Sequence, residues 1–252
     1  IRATNPCGEQ PLHNYDACNL GSINLKAIIK YENEKPSVDW EKLERTVKTA
    51  TRFMDNVNDA NKGPIQQVEE TVLKHRRIGL GVLGWADMLI KFGIPYASNE
   101  AVELAEKVMK YISEKSREKS KELALEKGVF PSFKGSKYDT GKLEDKVRNV
   151  ERTTIAPTGT ISMITGVSSG IEPIFGVTYW KNIRGGDSLL FVDSNFEEIA
   201  KKRGFWSEGL MEKIKQNRGK IGKFEEIPED VKKLFPIAED VPLEWHVRIQ
   251  AA

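Results

Sequence analysis

The sequence predicts an α/β fold with largely parallel strands. Short apolar stretches alternate with helical patterns along the chain, and no segment rich in Pro, Gly and Ser divides it. The 252 residues are therefore expected to form one domain or one part of a larger domain. With 39% hydrophobic residues, the chain can bury a sizeable core.

The N-terminal third predicts loops followed by helices. Residues 1–25 read as a short strand, a loop rich in Gly, Pro and Asn, and a second apolar stretch. A helix is predicted over 39–59, because Asp39 can cap it and apolar residues recur at helical spacing. Residues 65–92 are predicted to be mostly helical, with glycines inside the pattern.

A long charged helix is predicted from Asn99 to Lys127. Ser98 or Asn99 can cap its start, and Gly128 can end it. Its Glu- and Lys-rich middle is typical of a solvated face. The residues expected to face the core are Val102, Ala105, Met109 and Ile112.

The C-terminal part predicts strands and short helices. Strands are expected at 153–156, near 177–180 and at 189–192. Ser194, with Glu197 three residues later, matches a capping box that starts a helix.

Charge and composition exclude several classes of protein. Lys and Arg total 39 and Asp and Glu total 37, so the net charge is +2. This balance argues against a dedicated binder of nucleic acid or of membrane surfaces, since both need a basic face. No apolar run approaches the ~20 residues of a membrane span, so we expect neither a membrane-spanning segment nor a basic-then-apolar leader. Two cysteines exclude a disulfide scaffold and indicate a reducing cytoplasm.

The run Asn5-Pro6-Cys7-Gly8-Glu9 places a thiol between an amide and a carboxylate. In an extended backbone alternate side chains share a face, so Asn5, Cys7 and Glu9 would point the same way. A sulfur would then lie beside a hydrogen-bonding amide and a group able to take a proton. The alternative is a free cysteine buried in a turn.

Cys18 follows Cys7 by eleven positions, which is neither a Cys-x-x-Cys redox pair nor metal-ligand spacing. The three histidines, His13, His75 and His246, are scattered, so we expect no metal site and read each as a surface or satisfied histidine. A thiol hydrolase would need a histidine base near Cys7, and only His13 is close in sequence.

Two further motifs contain glycine and give weaker evidence for a binding site than the run around Cys7. Gly79-Leu80-Gly81-Val82-Leu83-Gly84 matches G-x-G-x-x-G, but the strand and the later acidic residue of a dinucleotide site are not predicted around it. Small residues that allow close helix packing explain this motif better.

The run Pro157-Thr158-Gly159-Thr160-Ile161-Ser162 follows a predicted strand and offers N–H groups and hydroxyls to a phosphate. A plain Ser/Thr turn is the alternative.

Taken together, five blocks in this order resemble the catalytic subunit of ribonucleotide reductase. The residues of the first two blocks are most similar to those of the adenosylcobalamin-dependent class, and the resemblance covers essentially all of residues 1–252. The blocks are Asn5–Leu12, Cys18–Leu25, Arg76–Gly81, Ala156–Ser162 and Gly170–Pro173.

The resemblance implies a ten-stranded α/β barrel with a central finger loop, incomplete in this chain. Cys7 matches the radical cysteine that removes the 3′ hydrogen of a ribonucleotide, and Glu9 matches the carboxylate that takes the 3′-hydroxyl proton. Asn5 matches the amide that orients the ribose hydroxyls, and Cys18 matches one of two thiols that end as a disulfide. Residues 157–162 match the loop that binds the substrate phosphates. The radical chemistry requires an enclosed, water-free site around the Cys7 sulfur.

The resemblance also implies a cofactor and partners. Adenosylcobalamin is the expected radical source, and a metal-containing small subunit is the alternative. The partners implied are the ribonucleotide substrate, the remaining segments of the reductase, a thioredoxin-like reductant and a second copy of the full enzyme.

Several features of the family are missing from these residues. No second reducing cysteine pairs with Cys18, and neither an N-terminal allosteric region nor C-terminal cysteines are present. We therefore expect a partial catalytic barrel that is inactive in isolation. A non-catalytic nucleotide-binding or subunit-interaction module on the same scaffold is the second hypothesis.

Overall fold

The structure is a computed structural model that describes residues 1–182 and 188–252. Its contacts divide the chain into two units, each built from three segments. The first unit comprises Ile1–Asn24, Val38–Leu83 and Lys107–Thr158, and the second comprises Leu25–Ser37, Gly84–Glu106 and Gly159–Ala252.

The described residues form short strands and α-helices, with five strands before the first α-helix and four α-helices at the end. The strands are β1 (Ala3–Thr4), β2 (Pro11–Leu12), β3 (Asn19–Asn24), β4 (Ile29–Glu32), β5 (Lys35–Val38), β6 (Ile78–Leu83), β7 (Thr178–Asn182) and β8 (Ser188–Val192). The α-helices are α1 (Trp40–Ala60), α2 (Gln66–His75), α3 (Trp85–Phe92), α4 (Asn99–Lys127), α5 (Gly159–Thr165), α6 (Ser194–Arg203), α7 (Glu208–Gln216), α8 (Glu229–Leu234) and α9 (Leu243–Ala251). None of the helices described is both long and apolar enough to cross a bilayer.

A parallel arrangement built on β6 lies at the centre of the first unit. Strands β3 and β6 are parallel, in a register that runs from Asn19 opposite Ile78 to Asn24 opposite Leu83. On the other side of β6, the Leu80 N–H donates to the Arg152 carbonyl at 2.8 Å, and Leu80 forms a parallel bridge with Thr153. All six residues of β6 are buried, as expected for a strand with neighbours on both sides.

The prediction that residues 65–92 are mostly helical is wrong at β6. The sequence there is short, apolar and interrupted by glycines, and such a run does not distinguish a buried strand from a helix. The close packing of small residues that we expected does occur, but between strand segments. A Cβ on Gly81 would lie 2.2 Å from the Thr154 carbonyl oxygen, and one on Gly79 would lie 2.6 Å from Thr154 Cγ2.

Helix α1 confirms the prediction over 39–59. The Asp39 side chain accepts from the Lys42 N–H at 2.9 Å, which caps the first turn. Leu43, Val47 and Met54 form its buried face. Because β3 passes this face at Gly21, a Cβ on Gly21 would lie 3.2 Å from Met54 Sδ.

Helix α4 has the predicted bounds. Ser98 Oγ accepts from the Ala101 N–H at 3.1 Å, and Gly128 follows the helix with φ +86°. The buried face differs slightly from the expected one, because Val102 and Met109 are only half-buried. Its buried apolar members are Ala101, Ala105, Val108, Ile112, Leu123 and Ala124.

The strand pairings are less parallel than predicted. Strands β1 and β2 pair antiparallel, as do β7 and β8, where Thr178 lies opposite Val192. The strand expected at 153–156 is reduced to the single bridge at Thr153. The short connection of residues 5–10 explains the β1–β2 hairpin, since a chain that turns back within a few residues can pair only antiparallel.

The second unit packs its helices around an apolar core. The cap of α6 differs from the predicted capping box, because Asp193 Oδ1 accepts from the N–H groups of Asn195 and Phe196, both at 2.9 Å. Ser194 is then the first residue of the helix. Buried members of the core include Ile174, Val177, Phe196, Leu210, Ile214, Ile227, Val231 and Phe235.

Candidate functional site

Residues 5–10 form a closed loop at the tip of the β1–β2 hairpin. The Asn5 N–H donates to the Gln10 carbonyl at 3.2 Å, and the Gln10 N–H donates to Asn5 Oδ1 at 3.0 Å. Inside this closure the Gly8 N–H donates to the Asn5 carbonyl at 3.0 Å, and Gly8 takes φ +83°. Asn5 therefore forms the neck of the loop, and glycine permits the turn that follows Cys7.

The structure corrects the expected geometry of this loop. The backbone turns rather than running extended, so Asn5, Cys7 and Glu9 share a short loop and not one face of a strand. Cys7 is exposed, whereas Asn5 and Glu9 are half-buried. The expected water-free pocket around the Cys7 sulfur is therefore not formed by the described residues, because the sulfur lies at the outer end of a hairpin tip.

Glu9 is tied to the segment that follows the parallel bridge. Its carbonyl accepts from Thr154 Oγ1 at 2.9 Å. Its carboxylate oxygen Oε2 is buried and accepts no hydrogen bond from any residue that the structure describes. A buried carboxylate oxygen without a donor is costly, and a role in binding or catalysis is one explanation for such an atom.

Cys18 lies at the base of the same loop, directly before β3. Its thiol donates to the Asn19 carbonyl at 3.3 Å and accepts from Gln10 Nε2 at 3.5 Å. Burial raises the pKa of the Cys18 thiol to about 12, although the positive charge of Arg77 opposes the shift. The sulfur is therefore a protonated thiol at neutral pH.

A buried ionic cluster next to Cys18 was not predicted. Asp16 Oδ2 lies 3.1 Å from Arg77 Nε and 3.1 Å from His75 Nδ1, and the Asp16 side chain is fully buried. Although burial acts in the opposite direction, the hydrogen bond from His75 and the charge of Arg77 hold the pKa of Asp16 below its usual value. The signal in the sequence was the adjacent pair of arginines before β6.

The histidines do not act on Cys7. His13 packs against His75, with ring centroids 5.1 Å apart. No hydrogen bond joins either ring to Cys7 in the described part of the chain. A hydrolase with Cys7 as nucleophile would need such a base, so the geometry does not support that reading.

The predicted phosphate loop spans the point where the two units meet in sequence. Pro157 and Thr158 end the first unit, and Thr158 takes φ +52°. Gly159, Thr160 and Ile161 are exposed at the start of α5. The Ser162 hydroxyl is already engaged, because it donates to the Gly159 carbonyl at 3.2 Å and lies 3.0 Å from Ser169 Oγ.

A cavity of about 460 Å³ in the second unit adjoins the start of α5. Gly159 and Ser162 line it together with the carboxylates of Asp87, Glu172 and Asp193. Asp87 is compensated, since it lies 3.3 Å from Lys26 Nζ and accepts from Asn195 Nδ2 at 2.7 Å. Of the described lining residues none is Lys or Arg, so an anion here would be met by N–H groups and hydroxyls.

The block Gly170–Pro173 lies in the same unit, and its last two residues line the cavity. Gly170 takes φ +47°, and the Ile171 carbonyl accepts from the Tyr96 hydroxyl at 2.7 Å. Burial raises the pKa of Tyr96, and the charge of Glu172 adds to the shift. Within residues 1–182 and 188–252 no group of three or more His, Cys, Asp or Glu side chains could hold a metal ion.

Comparisons with known proteins cover the whole chain. The sequence profile described as "Ribonucleotide reductase, barrel domain" matches residues 1–252. The vitamin B12-dependent ribonucleoside-diphosphate reductase of Thermoplasma acidophilum is 48% identical over 253 residues, which is 100% of this chain and 32% of that protein. The protein of the same name from Mycobacterium tuberculosis is 42% identical over all of this chain and 35% of its own length.

A solved structure shares the fold. The class Id ribonucleotide reductase alpha subunit of Actinobacillus ureae matches with a TM-score of 0.76 and 25% identity, over 100% of this chain and 45% of that one. The chain spans about a third of the length of the curated relatives named here. The profile match over every residue shows that the chain belongs to the ribonucleotide reductase family and carries part of its barrel domain.

Proposed function

We propose that the chain is the catalytic barrel segment of an oxidoreductase that reduces ribonucleoside di- or triphosphates to deoxyribonucleotides for DNA synthesis. The observation that carries this proposal is the loop of residues 5–10, which holds a thiol, a carboxylate and an amide inside a chain that matches the reductase barrel throughout. The curated relatives are named diphosphate reductases, which favours the diphosphate.

In this reaction Cys7 acts as a sulfur-centred radical. An S–H and a C–H bond are close enough in strength for hydrogen transfer to run in both directions. Cys7 takes the 3′ hydrogen of the ribose and later returns it, while Glu9 accepts the 3′-hydroxyl proton and gives it back at the end. Cys18 and a second thiol supply two electrons and two protons, so that the 2′-hydroxyl leaves as water, a hydrogen takes its place on the ribose and the two thiols become a disulfide.

The local geometry supports these roles. Glu9 Oε2 is a buried acceptor without a donor among the described residues, which suits a group that binds a substrate hydroxyl. Asn5 Oδ1 is occupied by the Gln10 N–H, so Asn5 Nδ2 is the atom that would donate to a ribose hydroxyl. Cys18 is held at the base of the same loop.

We assign the substrate phosphates to the run from Pro157 to Ser162. The supporting observation is the open space at Gly159, where no atom beyond its chain neighbours and its own helix backbone lies within 4 Å of the position that a Cβ would take. The first N–H groups of α5 are therefore accessible to an anion from this side.

We infer adenosylcobalamin as the radical source, because relatives at 48% and 42% identity are named vitamin B12-dependent. When bound, this cofactor supplies an organic radical able to take the hydrogen atom of a thiol. The exposed sulfur of Cys7 fits that requirement, since a group outside the hairpin can reach it. A metal-containing small subunit is the alternative source, and assays with and without adenosylcobalamin distinguish the two.

The remaining partners follow from the same proposal. The other segments of the reductase would enclose Cys7, a thioredoxin-like protein would reduce the disulfide of Cys18, and the full enzyme would form a homodimer. We place the protein in the cytoplasm, where the free thiols of Cys7 and Cys18 stay reduced.

A chimera tests the function. These 252 residues replace the aligned segment of the Thermoplasma acidophilum reductase, and deoxyribonucleotide formation is measured with adenosylcobalamin and a dithiol. We expect turnover in the chimera and none after Cys7→Ser or Glu9→Gln. Nucleotide binding should persist in both variants.

Cys18→Ser is the matched control, because it changes a thiol that acts only as reductant. We expect it to lose repeated turnover while the Cys7 radical still forms, which electron paramagnetic resonance detects. Turnover that survives Cys7→Ser rejects the radical role. Binding without turnover in the unmodified chimera favours the alternative, a non-catalytic nucleotide-binding or subunit-interaction module.

A further inference from the structure

Gln10 connects the loop of residues 5–10 to the thiol at its base. Its backbone pairs with Asn5 through both its N–H and its carbonyl, which closes the loop. Its side chain donates to Cys18 Sγ at 3.5 Å. Gln10 is only 3% exposed, so the carboxamide is withdrawn from water and its N–H donates to the sulfur instead.

Two further contacts restrict the position of the Cys18 sulfur. Its own proton is directed to the Asn19 carbonyl at 3.3 Å. A third side is closed by β6, since a Cβ on Gly79 would lie 3.0 Å from Sγ. Gln10, Asn19 and Gly79 therefore define the position of the sulfur from three directions.

The charged groups around the sulfur oppose one another. Arg77 favours the thiolate, whereas Asp16 and Glu9 disfavour it. Gln10 adds a donor without adding charge, and an amide N–H bonds a thiolate more strongly than a thiol. It therefore stabilises the anion that forms during thiol–disulfide exchange and leaves the balance between Arg77 and the two carboxylates unchanged.

We propose that Gln10 is a positioning residue for the Cys18 sulfur, fixing it at the base of the loop and favouring its reactive form. This inference rests on the proposed function, in which Cys18 is a reducing thiol. Gln10 follows Glu9 directly, so one residue links the proposed proton acceptor to the proposed reductant.

Thiol alkylation of the full chain tests the proposal. Iodoacetamide is added over a range of alkaline pH values, and peptide mass spectrometry follows Cys7 and Cys18 separately. The exposed Cys7 is the reference within the same molecule. In Gln10→Met, which has similar length and no N–H donor, we expect the Cys18 rate relative to Cys7 to fall about tenfold, the effect of one pKa unit. Gln10→Glu should lower it further, because a carboxylate adds negative charge beside the sulfur.

Thr154→Val is the matched control. It removes the other tether of the loop, the hydrogen bond to the Glu9 carbonyl, without removing a donor to the sulfur. We expect its Cys18 profile to equal that of the unmodified chain. An unchanged or faster Cys18 alkylation rate in Gln10→Met overturns the proposal, because Gln10 would then only shield the sulfur from solvent. An equal fall of the rate in Thr154→Val also overturns it, because Gln10 would then act only by holding the loop in place.

The alkylation result and the proposed function can fail separately. If Cys18→Ser leaves repeated turnover intact in the chimera, Cys18 is not the reductant, yet the alkylation result still decides whether Gln10 controls its sulfur. Circular dichroism of each variant shows whether it has folded. Should Gln10→Met not fold, Gln10→Leu carries the same comparison, because it also removes the N–H donor and adds no charge.

Discussion

Arg76 donates through Nε to Asp55 Oδ1 at 2.9 Å, and the two side chains are 3% and 0% exposed. Asn149 Nδ2 donates to the same oxygen at 2.9 Å and also to the Arg76 carbonyl at 3.0 Å. Arg76 takes φ +49° at the end of α2, a conformation in which its backbone turns from the helix toward β6. The pair thus joins α1, α2 and the segment before Thr153.

Breaking this pair should be costly. We expect Arg76→Leu to lower the free energy of unfolding by about 3–5 kcal/mol, because Asp55 stays buried with its strongest partner removed. Urea unfolding measures the change. Arg203→Leu is the control, since its ion pair with Asp230 is exposed and should be worth about 1 kcal/mol or less. If both variants lost the same free energy of unfolding, the buried ion pair would contribute no more to stability than the exposed one.

The close approach of β6 to Thr154 predicts a second stability effect. Gly81→Ala would place a Cβ 2.2 Å from a backbone oxygen, so the strand must shift, and we expect a loss of about 3 kcal/mol or more. Gly209→Ala is the matched control, because this glycine lies in α7 with open space around it. Its unfolding free energy should rise by up to about 1 kcal/mol. A tolerated Gly81→Ala would contradict the packing of β6 against residues 151–154.

Asp193 should make stability depend on pH. Burial raises the pKa of Asp193 from 3.8 to about 6, and the charge of Asp87 adds to the shift. The folded state therefore binds the Asp193 proton more tightly than the unfolded state does. The protonated carboxyl makes its full contribution to the free energy of unfolding below about pH 4, and this contribution is lost as the pH rises to about 6. We expect Asp193→Asn to flatten this slope and to raise stability at pH 7 by on the order of 2 kcal/mol.

Denaturant unfolding at a series of pH values measures the effect, and the difference between the two proteins isolates Asp193. Ser207→Ala is the control, because Ser207 also caps a helix, accepting from the Leu210 N–H at 3.0 Å, but does not titrate in this range. It should lose about 1 kcal/mol at every pH. An identical slope in Asp193→Asn and the unmodified chain would contradict the shift.

The exposure of Cys7 predicts that the 252-residue chain alone forms no deoxyribonucleotide. A sulfur radical at an open hairpin tip meets solvent and oxidants before it meets a ribose, since radical chemistry needs an enclosed site. Product formation is measured for the chain alone and for the chimera under the same conditions. Turnover by the chain alone would contradict both this prediction and the need for further segments around Cys7.

Sequence patterns identified those elements whose causes are local. The cap of α1 at Asp39 and the bounds of α4 were both predicted, because each depends on residues within a few positions of one another. The strand β6 was missed for the opposite reason. Its conformation depends on β3 and on residues 151–154, which lie far from it in sequence and supply its hydrogen bonds.

The identities of Asn5, Cys7, Glu9 and Cys18, and the family to which they belong, can be read from the order of residues alone, since a motif is a property of the chain. Tertiary structure alone decided that Cys7 is exposed, that Gln10 reaches Cys18, and that Asp55 pairs with Arg76. Those facts depend on tertiary packing, which also brings together residues as far apart in sequence as Asn149 and Asp55, 94 positions from each other, and such packing leaves no periodic signal in the sequence.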